Sequence, residues 1–145
     1  ESGRVAKYVT DFPDDKIALV HNVIALPHLG ASTPESEENC ARMAADQLKD
    51  YLINGNIKNS VNLPNVHQDW SGISRVCLIH KNIPAMLTKI TSILSEEGVN
   101  VENLTNKSKK DYAYTMVDLN GRIKDAVADE LRSIPGMIRV RVLNH

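Results

Sequence analysis

Residues 75–145 predict an α+β domain of βαββαβ order, a ferredoxin-like sandwich, inside a chain of mixed α/β character. Two observations carry this. Strand-period runs at 76–80, 99–105, 112–119 and 138–142 are interleaved with two runs of helical period in the order strand, helix, strand, strand, helix, strand. Ahead of them, the polar stretch Asn65-Val66-His67-Gln68-Asp69-Trp70-Ser71-Gly72 has no apolar period and reads as a linker, with a hinge at Gly72.

Taken in order, the first region opens with two short apolar runs, 5–9 and 17–26, which read as strands or turns around the breaker cluster Pro13-Asp14-Asp15. Ser32-Thr33-Pro34-Glu35 then places hydroxyls at a cap, proline at the first helical position and acid in the first turn, so a helix begins there. Ala41, Ala44, Ala45, Leu48, Tyr51 and Leu52 recur at three- and four-residue steps up to Gly55, a natural stop, while Glu38, Arg42, Lys49 and Asp50 occupy the other face. That gives a helix over about 34–54. Residues 57–63 look extended, and Pro64 closes the segment.

In the second region, residues 76–80 form a strand, and Pro84 opens a helix through Met86, Leu87, Ile90, Ile93 and Leu94 that stops at Gly98. The runs 99–105 and 112–119 form a hairpin joined by the basic polar turn 106–111. Ile123, Ala126, Val127, Leu131 and Ile134 trace the second helix, Pro135-Gly136 ends it, and Ile138, Val140 and Val142 alternate with Arg139 and Arg141 as the last strand.

Composition removes several function classes. With 145 residues, 17 basic and 18 acidic side chains and a net charge of −1, no field steers the chain toward nucleic acid or membrane. No apolar run reaches the length of a membrane span and no signal-peptide pattern is present, so a cytoplasmic location is expected. Cys40 and Cys77 are unpaired by spacing, as suits a reducing compartment. No two of the seven glycines lie closer than fifteen residues, so no dinucleotide fingerprint or P-loop can be written. There is also no C-x-x-C, H-E-x-x-H or G-x-S-x-G, and no metal ligands are expected. The start at Glu1-Ser2-Gly3, without Met and running straight into a strand-like segment, reads as a piece of a longer chain.

An RNA-binding reading is the first rival, because Lys110-Asp111-Tyr112-Ala113-Tyr114 partly matches the stacking motif of an RNA recognition motif on the same strand of the same topology. It fails on Asp111, an anion where glycine is needed, and on Val76-Cys77-Leu78-Ile79-His80, which offers no second aromatic. A structural role is expected for Tyr112 and Tyr114. His21, His67 and His145 show no ligand spacing and read as surface or turn residues, and Trp70 reads as a packing anchor.

His80-Lys81-Asn82-Ile83-Pro84-Ala85 followed by Gly98-Val99-Asn100 resembles the H-x-N-x-P-G and G-V-N signature of the ACT domain, in the serine-binding version found in D-3-phosphoglycerate dehydrogenases. The departure is Ala85, where that family usually has glycine. The resemblance implies that two such domains pair edge to edge and hold L-serine at their interface, with His80 and Asn82 of one chain and Asn100 of the other as contacts. Uncharged amides and an imidazole suit a ligand that brings a carboxylate, an ammonium and a hydroxyl. The helix opening at Pro84 adds free N–H groups for the carboxylate.

Pro27-His28-Leu29-Gly30-Ala31-Ser32-Thr33 similarly resembles the P-H-x-G-A-S-T segment of the D-2-hydroxyacid dehydrogenases, to which the phosphoglycerate enzymes belong. In that family the histidine exchanges a proton with the C2 hydroxyl while a hydride moves to or from NAD, so the match assigns His28 as the catalytic acid/base. Its carboxylate partner and the substrate-gripping arginine are expected upstream of residue 1. Asn54-Gly55-Asn56-Ile57-Lys58-Asn59-Ser60-Val61-Asn62-Leu63-Pro64 is similar to the same family's N-G-x-I-x-N-S-V-N-x-P exit from the catalytic region.

The resemblance thus implies residues 1–66 as the truncated end of a dinucleotide-binding and substrate domain pair, 67–74 as linker and 75–145 as an ACT domain. It further implies an NAD-dependent parent enzyme, a piece inactive by itself, L-serine as effector and a homodimer or higher homo-oligomer. The alternative reading is an ACT domain used only for dimerisation in a serine-insensitive dehydrogenase, with Ala85 as the reason.

Overall fold

The computed structural model describes residues 4–144; Glu1, Ser2, Gly3 and His145, including the histidine read as a surface residue, lie outside the described residues. The chain forms two compact units, Glu1–Met43 and Ala44–His145.

In the first unit, β1 (Tyr8–Thr10) and β2 (Val23–Ala25) pair in parallel with Tyr8 opposite Val23. Asp14 Oδ1 accepts the Ile17 amide at 2.6 Å and closes the turn that the Pro13-Asp14-Asp15 breaker predicts. Helix α1 (Pro34–Asn54) begins as its cap dictates: Thr33 Oγ1 accepts the Ser36 amide at 3.2 Å, and proline takes the first position, where no amide is needed. No described residue of this unit is buried. Two short strands cannot build a core alone, and Val9, Phe12, Leu26 and Leu29 stay open to solvent.

The second unit is built on a four-stranded antiparallel sheet in the order β4-β5-β3-β6, with β3 (Ser74–Lys81), β4 (Val101–Lys109), β5 (Tyr112–Leu119) and β6 (Met137–Asn144). Helices α2 (Met86–Glu96) and α3 (Asp125–Ser133) complete the βαββαβ order, as the periodicity predicts. Alternation along the strands sends Val76, Leu78, Val117 and Val140 to one face, where Ile90, Leu94 and Leu131 from the helices bury them. Cys77, Tyr114 and Met116 project from the other face and meet Ile57 and Val66. Both faces of the sheet are covered. This accounts for the near-continuous burial of β3 and β5, which a sheet with one wet face would not show.

Three sequence expectations change. Residues 57–63 are not extended: Ile57 and Val66 form a two-way backbone bridge (2.8 and 2.9 Å), and the chain between them is a loop. Its Asn and Ser side chains bind backbone locally, Asn65 Oδ1 taking the Asn59 amide and Ser60 Oγ the Leu63 amide. The polar stretch read as a linker at 67–74 packs against the sheet, with Gln68 and Ser74 buried and Ser74 already in β3, while the boundary between the compact units falls inside α1. Finally, the 106–111 turn shrinks to Lys110-Asp111, with Lys110 at φ 56°, because β4 runs on to Lys109. Asn106, Lys107, Ser108 and Lys109 look like a loop only because they lie on a solvated edge strand.

Among the described residues no helix is long and apolar enough to cross a membrane.

Candidate functional site

The functional residues predicted from sequence fall in three places, the third being Asn100 by itself. The first is the carboxyl end of the parallel pair, where open α/β sheets hold ligands. Asp11 follows β1 directly and His28 lies three residues beyond β2, so both emerge at that end. His28 Nδ1 sits 2.7 Å from Asp11 Oδ2, and the Phe12 ring lies against the imidazole at 4.1 Å between centroids. A carboxylate can only accept, so Nδ1 carries the proton and Nε2 is left to exchange one with a ligand. The sequence expectation placed this histidine's carboxylate partner before residue 1. In the structure the carboxylate beside it is Asp11, which the parallel pairing of β1 and β2 brings there from 17 residues away.

The second place is the β3–α2 junction. His80 is buried; its Nδ1 donates to the Lys81 carbonyl at 2.8 Å and its Nε2 is 2.8 Å from Thr115 Oγ1, which in turn bonds Asn106. Both ring nitrogens are therefore engaged within the chain. Asn82 is exposed; its amide nitrogen donates to the Asp111 carbonyl at 2.8 Å and its side chain reaches the Lys110 carbonyl only at 3.3 Å. Asn82 thus has an anchored backbone and a loosely held side chain.

Ala85 caps α2 in the left-handed region, at φ 62° and ψ 8°, without a side-chain cap. A β-carbon is strained there. The glycine of the resembling signature therefore reflects a backbone requirement, and a methyl at this position costs strain. Ala85→Gly is expected to stabilise the second unit by about 0.5–1 kcal/mol, the relief of left-handed strain exceeding the added freedom of the unfolded chain. A lower urea midpoint in that variant would contradict this.

Asn100 is not brought to His80 and Asn82. Val101 pairs with Leu119, which pairs with Ser74 at the start of β3, whereas Lys81 at its end pairs with Tyr112. At about 3.3 Å per residue, Asn100, level with Ile73, lies roughly 30 Å along the sheet from Asn82. There it exchanges backbone and side-chain bonds with Asn120, at 2.8 and 3.0 Å.

Tyr114 is fully buried and its hydroxyl donates to the Gly55 carbonyl at 2.7 Å, which removes it as a base-stacking platform. Burial pushes its hydroxyl pKa far above the ordinary tyrosine value, with the neighbouring Cys77 adding to the rise. Burial likewise pushes the Cys77 thiol up, so it is an inert core residue. Trp70 donates to the Gly72 carbonyl at 3.0 Å and carries the Arg75 guanidinium 4.6 Å above its ring.

These sites can be set beside known proteins. The chain is 33% identical over 124 residues to D-3-phosphoglycerate dehydrogenase of Escherichia coli (strain K12), which is 84% of this chain and 30% of that protein. It is 34% identical over 123 residues to the enzyme of the same name from Haemophilus influenzae, and 32% identical over 137 residues to D-3-phosphoglycerate dehydrogenase 2 of Saccharomyces cerevisiae, 88% of this chain and 29% of that one. The chain is similar over most of its length to D-3-phosphoglycerate dehydrogenases. It spans about a third of the length of these relatives. No family model matches the sequence. Among solved structures, the ACT domain from GTP pyrophosphokinase of Chlorobium tepidum is similar at 17% identity and a TM-score of 0.44, covering 50% of this chain and 97% of that one.

Proposed function

We propose that this chain carries the effector-binding part, and one pair of catalytic side chains, of an NAD-dependent D-3-phosphoglycerate dehydrogenase located in the cytoplasm and serving L-serine synthesis. The observation that carries the reading is the similarity to those enzymes over 84% of the chain. The sheet supports the effector half. Asn82 and Asn100 sit at opposite ends of the sheet, and β4 is an exposed edge. Pairing β4 antiparallel with a second copy across a twofold axis carries each Asn100 toward the other chain's Asn82, giving two identical sites per dimer.

In such a site the serine carboxylate takes the uncapped amides at the start of α2, and the ammonium and hydroxyl take the side-chain amides of Asn82 and Asn100. Because both nitrogens of His80 are engaged, its direct part requires that Nε2 exchange Thr115 for the ligand; otherwise it positions the Asn82 loop.

Calorimetry with L-serine, with glycine and L-alanine as controls, tests this. Asn82→Ala and Asn100→Ala are each expected to lose binding, while their equimolar mixture regains about a quarter of the wild-type capacity, since half the dimers are mixed and each holds one intact site. A mixture that stays silent beside a binding wild type would place both asparagines in one chain's site. No heat from wild type in a folded, dimeric sample would favour the second reading, an ACT domain that only dimerises, for which the strained Ala85 is the specific observation.

In the catalytic half, Asp11 fixes the His28 ring so that Nε2 takes the proton of a substrate hydroxyl in one direction and returns it in the other. These residues offer no glycine-rich cradle for NAD, so the chain's contribution stops at that proton. In the whole enzyme, His28→Ala is expected to lower kcat by about 100- to 10,000-fold. Asp11→Asn should lower it less and distort the pH profile; an unchanged profile would remove Asp11 from this role.

A further inference from the structure

The carboxyl end of α1 meets the sheet in an unusual way. Its last turn contains no basic residue, although the final carbonyls of any helix are left without partners and carry partial negative charge. The partners come from the strands instead. Arg141 of β6 donates to the Tyr51 and Leu52 carbonyls, both at 3.1 Å, and lays its guanidinium 4.5 Å from the Tyr51 ring. Arg75 of β3 donates to the Asn54 carbonyl at 2.7 Å and, from its other nitrogen, to the Asp69 carbonyl at 3.0 Å. Tyr114 of β5 takes the Gly55 carbonyl. Three strands thus hold the helix end, and Arg75 also ties down the segment leading into its own strand.

The same segment is immobilised at two further points. Asp118, which pairs with Arg75, accepts the Ser71 amide and hydroxyl at 3.0 and 3.1 Å. Gly72 sits at φ 113°, and a β-carbon at this position would run into the Leu119 carbonyl. The stretch read from sequence as a hinge is thus bonded to the sheet through Asp69, Ser71 and Ile73.

We propose that Arg75, Arg141 and Tyr114 weld residues 44–72 to the outer face of the sheet, so that a displacement of the sheet leaves this unit through helix α1 and not through flexing at 67–74. The direction of the signal rests on the effector reading; the weld itself does not. Arg141 and Arg75 are positioning residues in this device. The guanidinium fork makes it specific, because two parallel N–H donors meet carbonyls one residue apart and a lysine ammonium cannot reproduce that geometry.

Native-state hydrogen exchange on this chain tests the weld without ligand. Amides of residues 50–57 and 66–72 are expected to exchange with the same opening equilibrium as β3 and β5, as one cooperative unit. Arg141→Ala should release 50–57 into an opening at least about tenfold more frequent, with Arg141→Lys failing to restore it. Exchange of the wild-type segment about 100-fold faster than the strands would overturn the proposal. With L-serine present, wild type is expected to show slowed exchange at 50–57, and Arg141→Ala to bind serine equally by calorimetry yet lose that response. A response confined to 67–74, or one unchanged in Arg141→Ala, would also overturn it. If calorimetry finds no serine binding at all, the effector reading falls and the ligand-free exchange still decides the weld.

Discussion

Asp118→Ala is expected to cost the second unit about 3–5 kcal/mol, the range for leaving one member of a buried ion pair without its partner. Both side chains are fully buried, and the pair is bidentate, with Arg75 Nε 2.5 Å from one carboxylate oxygen and its terminal nitrogen 2.8 Å from the other. Without the carboxylate, the guanidinium keeps the Asn54 and Asp69 carbonyls, which are dipoles and cannot neutralise it. Removing both charges is different: Arg75→Met with Asp118→Leu should recover much of the loss, because two apolar side chains have no desolvation penalty to offset. Urea unfolding midpoints of the single and double variants decide this. A double variant as unstable as Asp118→Ala would mean that the contacts of Arg75 to the helix end matter more than charge.

The same carboxylate gives the unit an acid limit. Burial alone would raise the Asp118 pKa, but the Arg75 guanidinium and the Ser71 amide outweigh it and hold the group below the usual carboxylate range. A carboxyl depressed in the folded state contributes stability that is present above its unfolded value of about 3.9 and is lost as pH falls through the folded value. Stability of the wild type should therefore decline below about pH 4, and the decline should be shallower in the Arg75→Met, Asp118→Leu variant.

The second large effect is Gly72→Ala. A β-carbon there would sit 2.4 Å from the Leu119 carbonyl oxygen, a backbone atom in the middle layer of the sheet that cannot swing away. The backbone angle adds to this, since φ 113° is a region L-residues rarely adopt. Overpacking of about 1–3 kcal/mol and strain of about 1–2 kcal/mol together predict a loss of about 2–5 kcal/mol. The Ile73 amide, which donates to that same carbonyl at 2.8 Å, would lose its protection first. A Gly72→Ala variant with wild-type stability and unchanged exchange at Ile73 would show that this segment yields, and would weaken the case for signal transfer through α1.

The candidate effector and catalytic residues were legible to different depths. Asn82, Ala85 and Asn100 stand at junctions that turn and cap signals mark out, and their spacing shows that one helix separates them. The sequence could not say that the two asparagines lie at opposite ends of one sheet, because that follows from β4 being parallel to β3 across β5. His28 was legible from its flanking residues. Its partner Asp11 was not, since the two lie 17 residues apart and meet only because β1 and β2 are parallel and end together. Residues 66–72 misled for a plain reason: the Asp69 carbonyl accepts from buried Arg75, Ser71 donates to buried Asp118 and the Trp70 ring lies under the Arg75 guanidinium, and polarity by itself does not separate such contacts from solvation.

By itself the sequence determined the local elements: the Thr33-Pro34 start and Gly55 stop of α1, the helical period of α2 and α3, and the alternation of the strands. Each of these depends on neighbours within a turn or two, where backbone sterics and side-chain caps act. Only the tertiary structure decided that α1 ends against the sheet, that Arg75 faces Asp118 across 43 residues, and that the supposed linker is a covering layer. Those pairings arise because a sheet with two apolar faces must bury both, and the chain nearest to its second face is the one that precedes it.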